Sequence, residues 1–258
     1  RLAKIEAAMR RLEAEAKAEA DAERQRRCDA DAERQQSGKK RRGKAPKEVD
    51  ERPADKAQMS FTDPELHIMQ THNKGWDYCG NAQASVDGAY QIIVACDVTD
   101  ATNDKQQAAP MAQAILETLE QAAIAPHRNA AGEVPVIPAT LDSGYYSEAA
   151  TQALEALGFE PYIATARQRH HALESEPLES SATAQERMAA KVRSPAGQAL
   201  YSRRKVIVEP VFGQIKEARG FRRFLLRGLD KVRGEWRLVC VGHNLLKLWR
   251  YGSALRTV

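Results

Sequence analysis

The run "GNAQASVDGAYQIIVACDVT" (residues 80–99) anchors the reading of the whole chain. Two β-prone segments flank Asp87-Gly88, a dipeptide that favours a two-residue turn, so the run reads as an antiparallel hairpin. Beyond it, residues 105–123 set Met111, Ile115, Leu119 and Ala122 on one stripe at helical period. "VPVIPATLD" (134–142) reads as a short strand with its prolines near the start. Ser147 is placed to cap a helix ending at Leu157, and Gly158 is placed to stop it. "EPYIAT" (160–165) is the next strand. Residues 165–200 are polar and irregular, an insertion with one helix around 183–192. Helical period returns from about Val206, with Pro210 in the first turn, where the missing N–H costs least. A last helix, Lys231 to Tyr251, carries Trp236, Val239, Leu245, Leu246 and Trp249 toward the core.

Upstream of the hairpin, residues 1–37 are rich in Ala, Glu and Arg and lack Pro and Gly. Leu2, Ile5, Met9, Leu12 and Ala16 alternate three and four apart, a heptad-like stripe that fades early. This is a charged helical connector. Residues 38–58 form a polar, basic linker in which Lys39 to Arg42 could meet phosphates. The globular part spans 59–258 and opens on an extended segment. Its order is therefore an α/β arrangement: three antiparallel strands, then αβαβα. That is the chain order of an RNase H-like mixed sheet flanked by helices.

Charge is distributed unevenly along the 258 residues. The first fifty carry a net +4, residues 51–185 a net −12, and residues 186–258 a net +12. An acidic middle beside a strongly basic end suits a carboxylate site next to a polyanion-binding surface. Cys28, Cys79, Cys96 and Cys240 form no CxxC pair, which reads as reduced thiols in a cytoplasmic protein and argues against a zinc knuckle. No apolar run reaches the roughly 20 residues a bilayer span requires. The chain starts at Arg1 and is expected to be a fragment.

Three acids stand out by position. Asp63 lies in "FTDPE", by the first extended segment. Asp142 follows the strand of "VPVIPATL", at the carboxyl end where ligands of open α/β sheets gather. Glu209 opens the late helix. Brought together, these carboxylates would need cations between them, and magnesium suits hard oxygen donors with retained waters. A bland reading stands beside each: Asp63-Pro64 as a turn, Asp142-Ser143-Gly144 as a turn, Glu209 as a helix-start acid. Asp87 is explained by its hairpin, Asp97 lies in a strand, and Asp104 suits a helix cap. His170-His171 reads as surface. His67, His72, His127 and His243 lack ligand spacing.

"FTDPELHIM", the hairpin run with its continuation "DATNDKQQ", "LDSGYYSE" and "YSRRKVIVEPVFGQIKEARGFRRF" together closely resemble the DDE transposases of bacterial insertion sequences. The resemblance covers about residues 59–250. Its last stretch is similar to a Tyr-Arg-Glu-Lys signature, here Tyr201, Arg204, Glu209 and Lys216, with Lys205 the rival for the arginine position. The resemblance implies that Asp63, Asp142 and Glu209 are a metal-binding triad holding Mg2+ (or Mn2+), as two ions. Asp87 and Asp97 are its fallback first acids. It implies DNA strand cleavage and 3′-hydroxyl strand transfer. The partners would be element ends and target DNA, a homo-oligomer on paired ends, and no membrane, in a nucleoid-associated protein. Arg203, Arg204, Lys205, Lys216, Arg219, Arg222, Arg223 and Arg227 would neutralise phosphates without reading sequence, and Tyr201 would pack near the cleaved bond. Two other outcomes stay open: a nuclease that only hydrolyses, and an inactive remnant that at most binds DNA.

Overall fold

The computed structural model describes residues 2–38, 46–71, 74–124, 135–165 and 182–252. The chain divides into two compact units, Arg1–Tyr78 and Cys79–Val258. Lys39 to Arg42, His72, His127 and His170-His171 fall outside the described residues, as do residues 166–181 of the polar insertion.

In the first unit, α1 spans Leu2–Gln36, 35 residues with only Ala20 buried. Such a helix lacks a wide apolar stripe and leans on local ion pairs: Arg11–Glu15 at 2.9 Å, Arg27–Glu23 at 2.7 Å and Arg24–Asp21 at 2.8 Å. The returning chain is tied to it by Arg24 Nη2 to Glu51 Oε1 at 2.6 Å and by Arg27 Nη1 donating to the Lys47 carbonyl at 2.7 Å. Strands β1 (His67–Gln70) and β2 (Trp76–Cys79) pair in a small sheet. The expected three-stranded antiparallel unit is not formed among the described residues: the hairpin carries two strands. The segment before β1 turns instead of extending, with Leu66 N–H on the Asp63 carbonyl.

The second unit begins with the hairpin, β3 (Asn81–Val86) against β4 (Ile93–Thr99), antiparallel from Asn81↔Thr99 to Val86↔Ile93. The connection is a loop over residues 87–92, longer than the expected two-residue turn. The Asp87 carboxylate explains why: it accepts from the N–H groups of Ala89, Tyr90 and Ile92, organising a wider loop. Helix α2 (Ala108–Gln121) follows, then β5 (Ile137–Leu141), α3 (Glu148–Ala156) and β6 (Phe159–Ile163). β5 and β6 run parallel, from Ile137↔Phe159 to Leu141↔Ile163. Ser147 caps α3 by accepting from Ala150 N–H, and Gly158, at φ +83°, closes the helix as the sequence led one to expect.

The helix expected around 183–192 is present, and the residues after it, read as irregular, form a second one. Thr183 and Glu186 form a capping box that starts α4 (Ala184–Arg193). Ser194 then caps α5 (Pro195–Ser202), whose first residue is a proline. Gly197 is obligatory there, because a β-carbon would stand 2.0 Å from the Lys191 carbonyl oxygen.

Helix α6 (Arg204–Gly213) runs straight into a π-turn, Gln214–Ala218. Pro210 lies inside α6, not in its first turn, so the Val206 carbonyl has no N–H from position 210. Gln91 Nε2, from the hairpin loop, donates to that carbonyl at 2.8 Å and fills the gap.

Helix α7 (Leu229–Tyr251) packs on β4 and α6 around Ile93, Val98, Val211, Ile215, Val232, Trp236 and Cys240. Trp236 stacks on Phe212 and donates its indole N–H to the Gln83 carbonyl at 2.9 Å. A second cluster joins α2, α3, α4 and β6 through Ala112, Leu154, Phe159, Ile163, Met188 and Val192. Trp249 and Leu245, expected in the core, are exposed, because α7 turns only one flank inward.

Candidate active site

The parallel pair β5/β6 ends at Leu141 and Ile163, and Asp142 is the next residue after β5. It takes an extended backbone and caps a short 3-10 turn, Ser143–Tyr145, with Oδ1 accepting from Gly144 N–H at 2.9 Å. The turn reading of this acid is therefore correct as local structure. It also leaves the carboxylate at the carboxyl edge of the strand.

A second carboxylate meets it there. Asp142 Oδ1 lies 3.1 Å, and Asp104 Oδ2 3.2 Å, from the point a β-carbon on Gly144 would occupy. Only a glycine leaves that space open between two acids. Asp104 does not cap α2: the cap position is Gln107, without a side-chain bond. Asp104 Oδ1 instead accepts from Asn81 Nδ2 at 2.7 Å and Gln83 Nε2 at 2.8 Å. Gln83 is buried in the middle of β3, and its Oε1 accepts the hydroxyl of Tyr145. This network holds β3, the start of α2 and the Asp142 turn to one another. Burial, then the charges of Asp104 and Asp142, push the Tyr145 phenol well above its ordinary range, and the bond to Gln83 opposes them. Tyr145 accordingly remains a donor.

Sequence reasoning missed Asp104 because a helix-start acid invites a capping explanation. The signal was present in "NAQ" and "TND": a strand offering two side-chain amides inward on one face, at positions 81 and 83, needs a buried acceptor.

Glu209 sits in the second turn of α6, not at its start, and is exposed. Arg204 approaches it at 3.9 Å. The same guanidinium lies 5.6 Å from the centre of the Tyr201 ring. Burial raises the Tyr201 phenol, Arg204 lowers it, and the charge of Asp142 raises it again. Tyr201 packs with Leu200, Leu141 and Tyr145 against the same core cluster, which brings the α5–α6 corner to the β5 edge. Arg204 meets Glu209 and Tyr201, while Lys205 is exposed.

The other acids have structural partners. Asp87 organises the hairpin loop. Asp97 pairs with Arg233 of α7 at 3.1 Å. Asp63 belongs to the first unit, where it is buried and its N–H donates to Ser60 Oγ at 3.0 Å. His243 is fully buried, its Nε2 at 2.9 Å from the Gln91 carbonyl.

Arg203, Lys205, Lys216, Arg219, Arg222, Arg223 and Arg227 are exposed on α6, the π-turn and the loop before α7. Some are already engaged: Arg203 donates to the Gly88 carbonyl, Arg222 pairs with Glu217, and Arg227 bonds carbonyls of its own loop. Lys216 lies over the Phe212 ring. π-turns of this kind concentrate at functional sites.

Among the described residues, no three His, Cys, Asp or Glu side chains come close enough to share one ion. Asp104 and Asp142 do offer two hard oxygen donors around one point, and among the described residues neither pairs with a lysine or arginine. Magnesium is often held by one or two carboxylates with waters completing its shell, so this donor set fits it. No described helix is long and apolar enough to cross a membrane. No curated protein and no solved structure matches this chain. Residues 162–249, about a third of the chain and the part that holds Tyr201, Arg204, Glu209 and Lys216, match the family model described as "Transposase DDE domain".

Proposed function

We propose that this chain carries the catalytic region of a DDE transposase of the insertion-sequence type with a Tyr-Arg-Glu-Lys signature. In this reading it cleaves DNA at element ends and joins the freed 3′-hydroxyl to target DNA. The observation that carries it is the family match over α4–α7, together with Asp142 at the carboxyl end of β5 and Arg204 at 3.9 Å from Glu209. The order of hairpin, helix, strand, helix, strand and helices, with β5 and β6 parallel, supports an RNase H-like sheet.

Asp142 and Asp104 would hold magnesium, with Glu209 completing the acid set. When bound, such ions activate the attacking oxygen and stabilise the leaving one. The chain's own residues do the rest. Gly144 keeps the space between the two carboxylates open. Tyr145, through Gln83, fixes the turn that aims Asp142. Arg204 orients Glu209 and lies against Tyr201, which packs by the cleaved bond. Arg203, Lys205, Lys216, Arg219, Arg222 and Arg223 neutralise phosphates along the DNA backbone, so binding should weaken steeply with salt.

The test is an oligonucleotide pre-cleaved at its 3′-end, offered with target DNA and magnesium. Joined product supports a transposase. Hydrolysis without joining supports a nuclease, and salt-sensitive binding without either supports an inactive DNA-binding remnant.

A further inference from the structure

The loop "RGFRRFLLRG" (residues 219–228) joins the π-turn to α7. Its apolar residues form two pairs that face opposite ways. Phe221 and Phe224 turn inward. They meet edge to face with ring centres 5.7 Å apart, and Phe224 lies 6.4 Å from the buried Trp236. Leu225 and Leu226 turn outward, 68 % and 46 % exposed. Single exposed leucines are common on protein surfaces. Here two neighbours are exposed together, and the backbone beneath them is fastened down.

Glu235 of α7 does the fastening. Leu225 N–H donates to both of its carboxylate oxygens at 3.0 Å, and Leu226 N–H donates to Oε2 at 3.1 Å. Hydrogen bonds to a charged acceptor are stronger than neutral ones. Arg227 Nη1 closes the turn by donating to the Phe224 and Leu226 carbonyls. Gly228, at φ +86°, lets the chain enter α7 from there. The direction in which the two leucines project is thereby fixed.

The surroundings of the tip say what it meets. Arg222 and Arg223 stand just before the leucines and are exposed. The Arg222–Glu217 pair is exposed on both sides, so it yields readily to a phosphate. Residues 186–258 carry a net +12. An apolar tip flanked by cations suits a polyanion with an apolar interior, and the family match over residues 162–249 favours DNA over a membrane surface. In duplex DNA, cations seat on phosphates while an apolar side chain enters between base steps, unstacks them and kinks the helix.

We propose that Leu225 and Leu226 form a wedge that enters duplex DNA between adjacent base pairs and bends it, with Glu235 as the residue that positions the wedge. This rests on the reading of the chain as a DNA-binding transposase, and adds a distortion of the duplex to contacts that only neutralise phosphates. Pyrimidine–purine steps such as TA unstack most easily, so the wedge favours them.

The experiment follows the whole chain on a duplex of roughly 25 base pairs. The duplex carries the element's own end, a fluorophore at each terminus, and 2-aminopurine at the adenines of its TA steps. Wild type should bring the termini closer, as for a kink of roughly 20–90°, and raise the 2-aminopurine emission as the base unstacks. Leu225→Ala combined with Leu226→Ala changes exposed positions, so circular dichroism should stay unchanged. The double variant should lose both the bend and the emission rise. Its slope of log affinity against log salt should match wild type, because no phosphate contact is removed. Glu235→Ala should lose most of the bend at the same salt slope, and Glu235→Gln, which keeps one acceptor oxygen, should retain more of it. A wild type that binds with steep salt dependence and leaves the duplex straight overturns the wedge alone. So does a double leucine variant that bends the duplex as wild type does. A chain that binds no DNA at low salt overturns the wedge and the transposase reading together.

Discussion

Asp104 Oδ2 and Asp142 Oδ1 lie within 3.2 Å of a single point, the place a β-carbon on Gly144 would take. Two carboxylates from different elements, one after β5 and one before α2, are thereby held facing one space. Without a cation this arrangement is repulsive, and the Tyr145 phenol beside it is raised by burial first and by the two charges after it. Manganese binding, followed by electron paramagnetic resonance, should therefore weaken by about tenfold or more in Asp142→Asn and in Asp104→Asn. Gly144→Ala, which fills the space, should act in the same direction with little loss of fold. Undiminished manganese binding in all three variants would remove Asp104 from the site.

Gln91 is expected to be a stability residue of the second unit. It takes φ +59°, an uncommon conformation for a side chain of this kind, and makes three contacts. It donates to the Val206 carbonyl left open by Pro210, accepts from the buried Lys247 ammonium at 2.6 Å, and its carbonyl meets His243. Gln91→Ala should cost about 1–3 kcal/mol in urea unfolding, mostly by leaving the Lys247 ammonium without its acceptor. Gln91→Gly removes the backbone strain, yet should still fall below wild type. A glycine variant as stable as wild type would show that the side-chain bonds contribute nothing.

His243 sets a pH dependence. Burial lowers its imidazole below the ordinary 6.5, and the charges of Lys247 and Arg219 act the same way, against the bond to the Gln91 carbonyl. The folded state thus binds this proton less readily than the unfolded state. Its contribution to stability is fully present above pH 6.5 and is lost as the pH falls through the lower, folded value. Thermal midpoints should drop on acidification from pH 7 toward this window, and His243→Gln should flatten the drop. A slope identical in the variant would assign the acid sensitivity elsewhere.

Local signals carried much of the fold. The hairpin, the Ser147 cap, the Gly158 stop and both strands of the parallel pair were legible because each rests on short-range chemistry. The errors came where partners distant in sequence decide the outcome. The Asp87 carboxylate widens its loop by taking three backbone N–H groups. Pro210 is tolerated inside α6 because Gln91, far upstream, supplies the missing donor. Ser194 starts a second helix, α5, in a stretch whose polarity suggested irregular chain. Trp249 and Leu245 share the period of Trp236 loosely enough to look like core, but lie on the outer flank.

The site was legible in part for the same reason. Asp142 and Glu209 were singled out by position and motif, and the structure puts the first directly after β5 and the second in the second turn of α6. Arg204, and not Lys205, contacts both Glu209 and the Tyr201 ring. Asp104 was read as a helix cap because its actual partners, Asn81 and Gln83, lie on another element.

The most direct measurement is magnesium-dependent nicking of DNA carrying the element's own ends, comparing wild type with Asp142→Asn, Glu209→Gln and the loop control Asp87→Asn. The account predicts that the first two lose at least ~100-fold in rate while circular dichroism stays unchanged, and that the control keeps cutting. Cleavage at the wild-type rate by both Asp142→Asn and Glu209→Gln would contradict it.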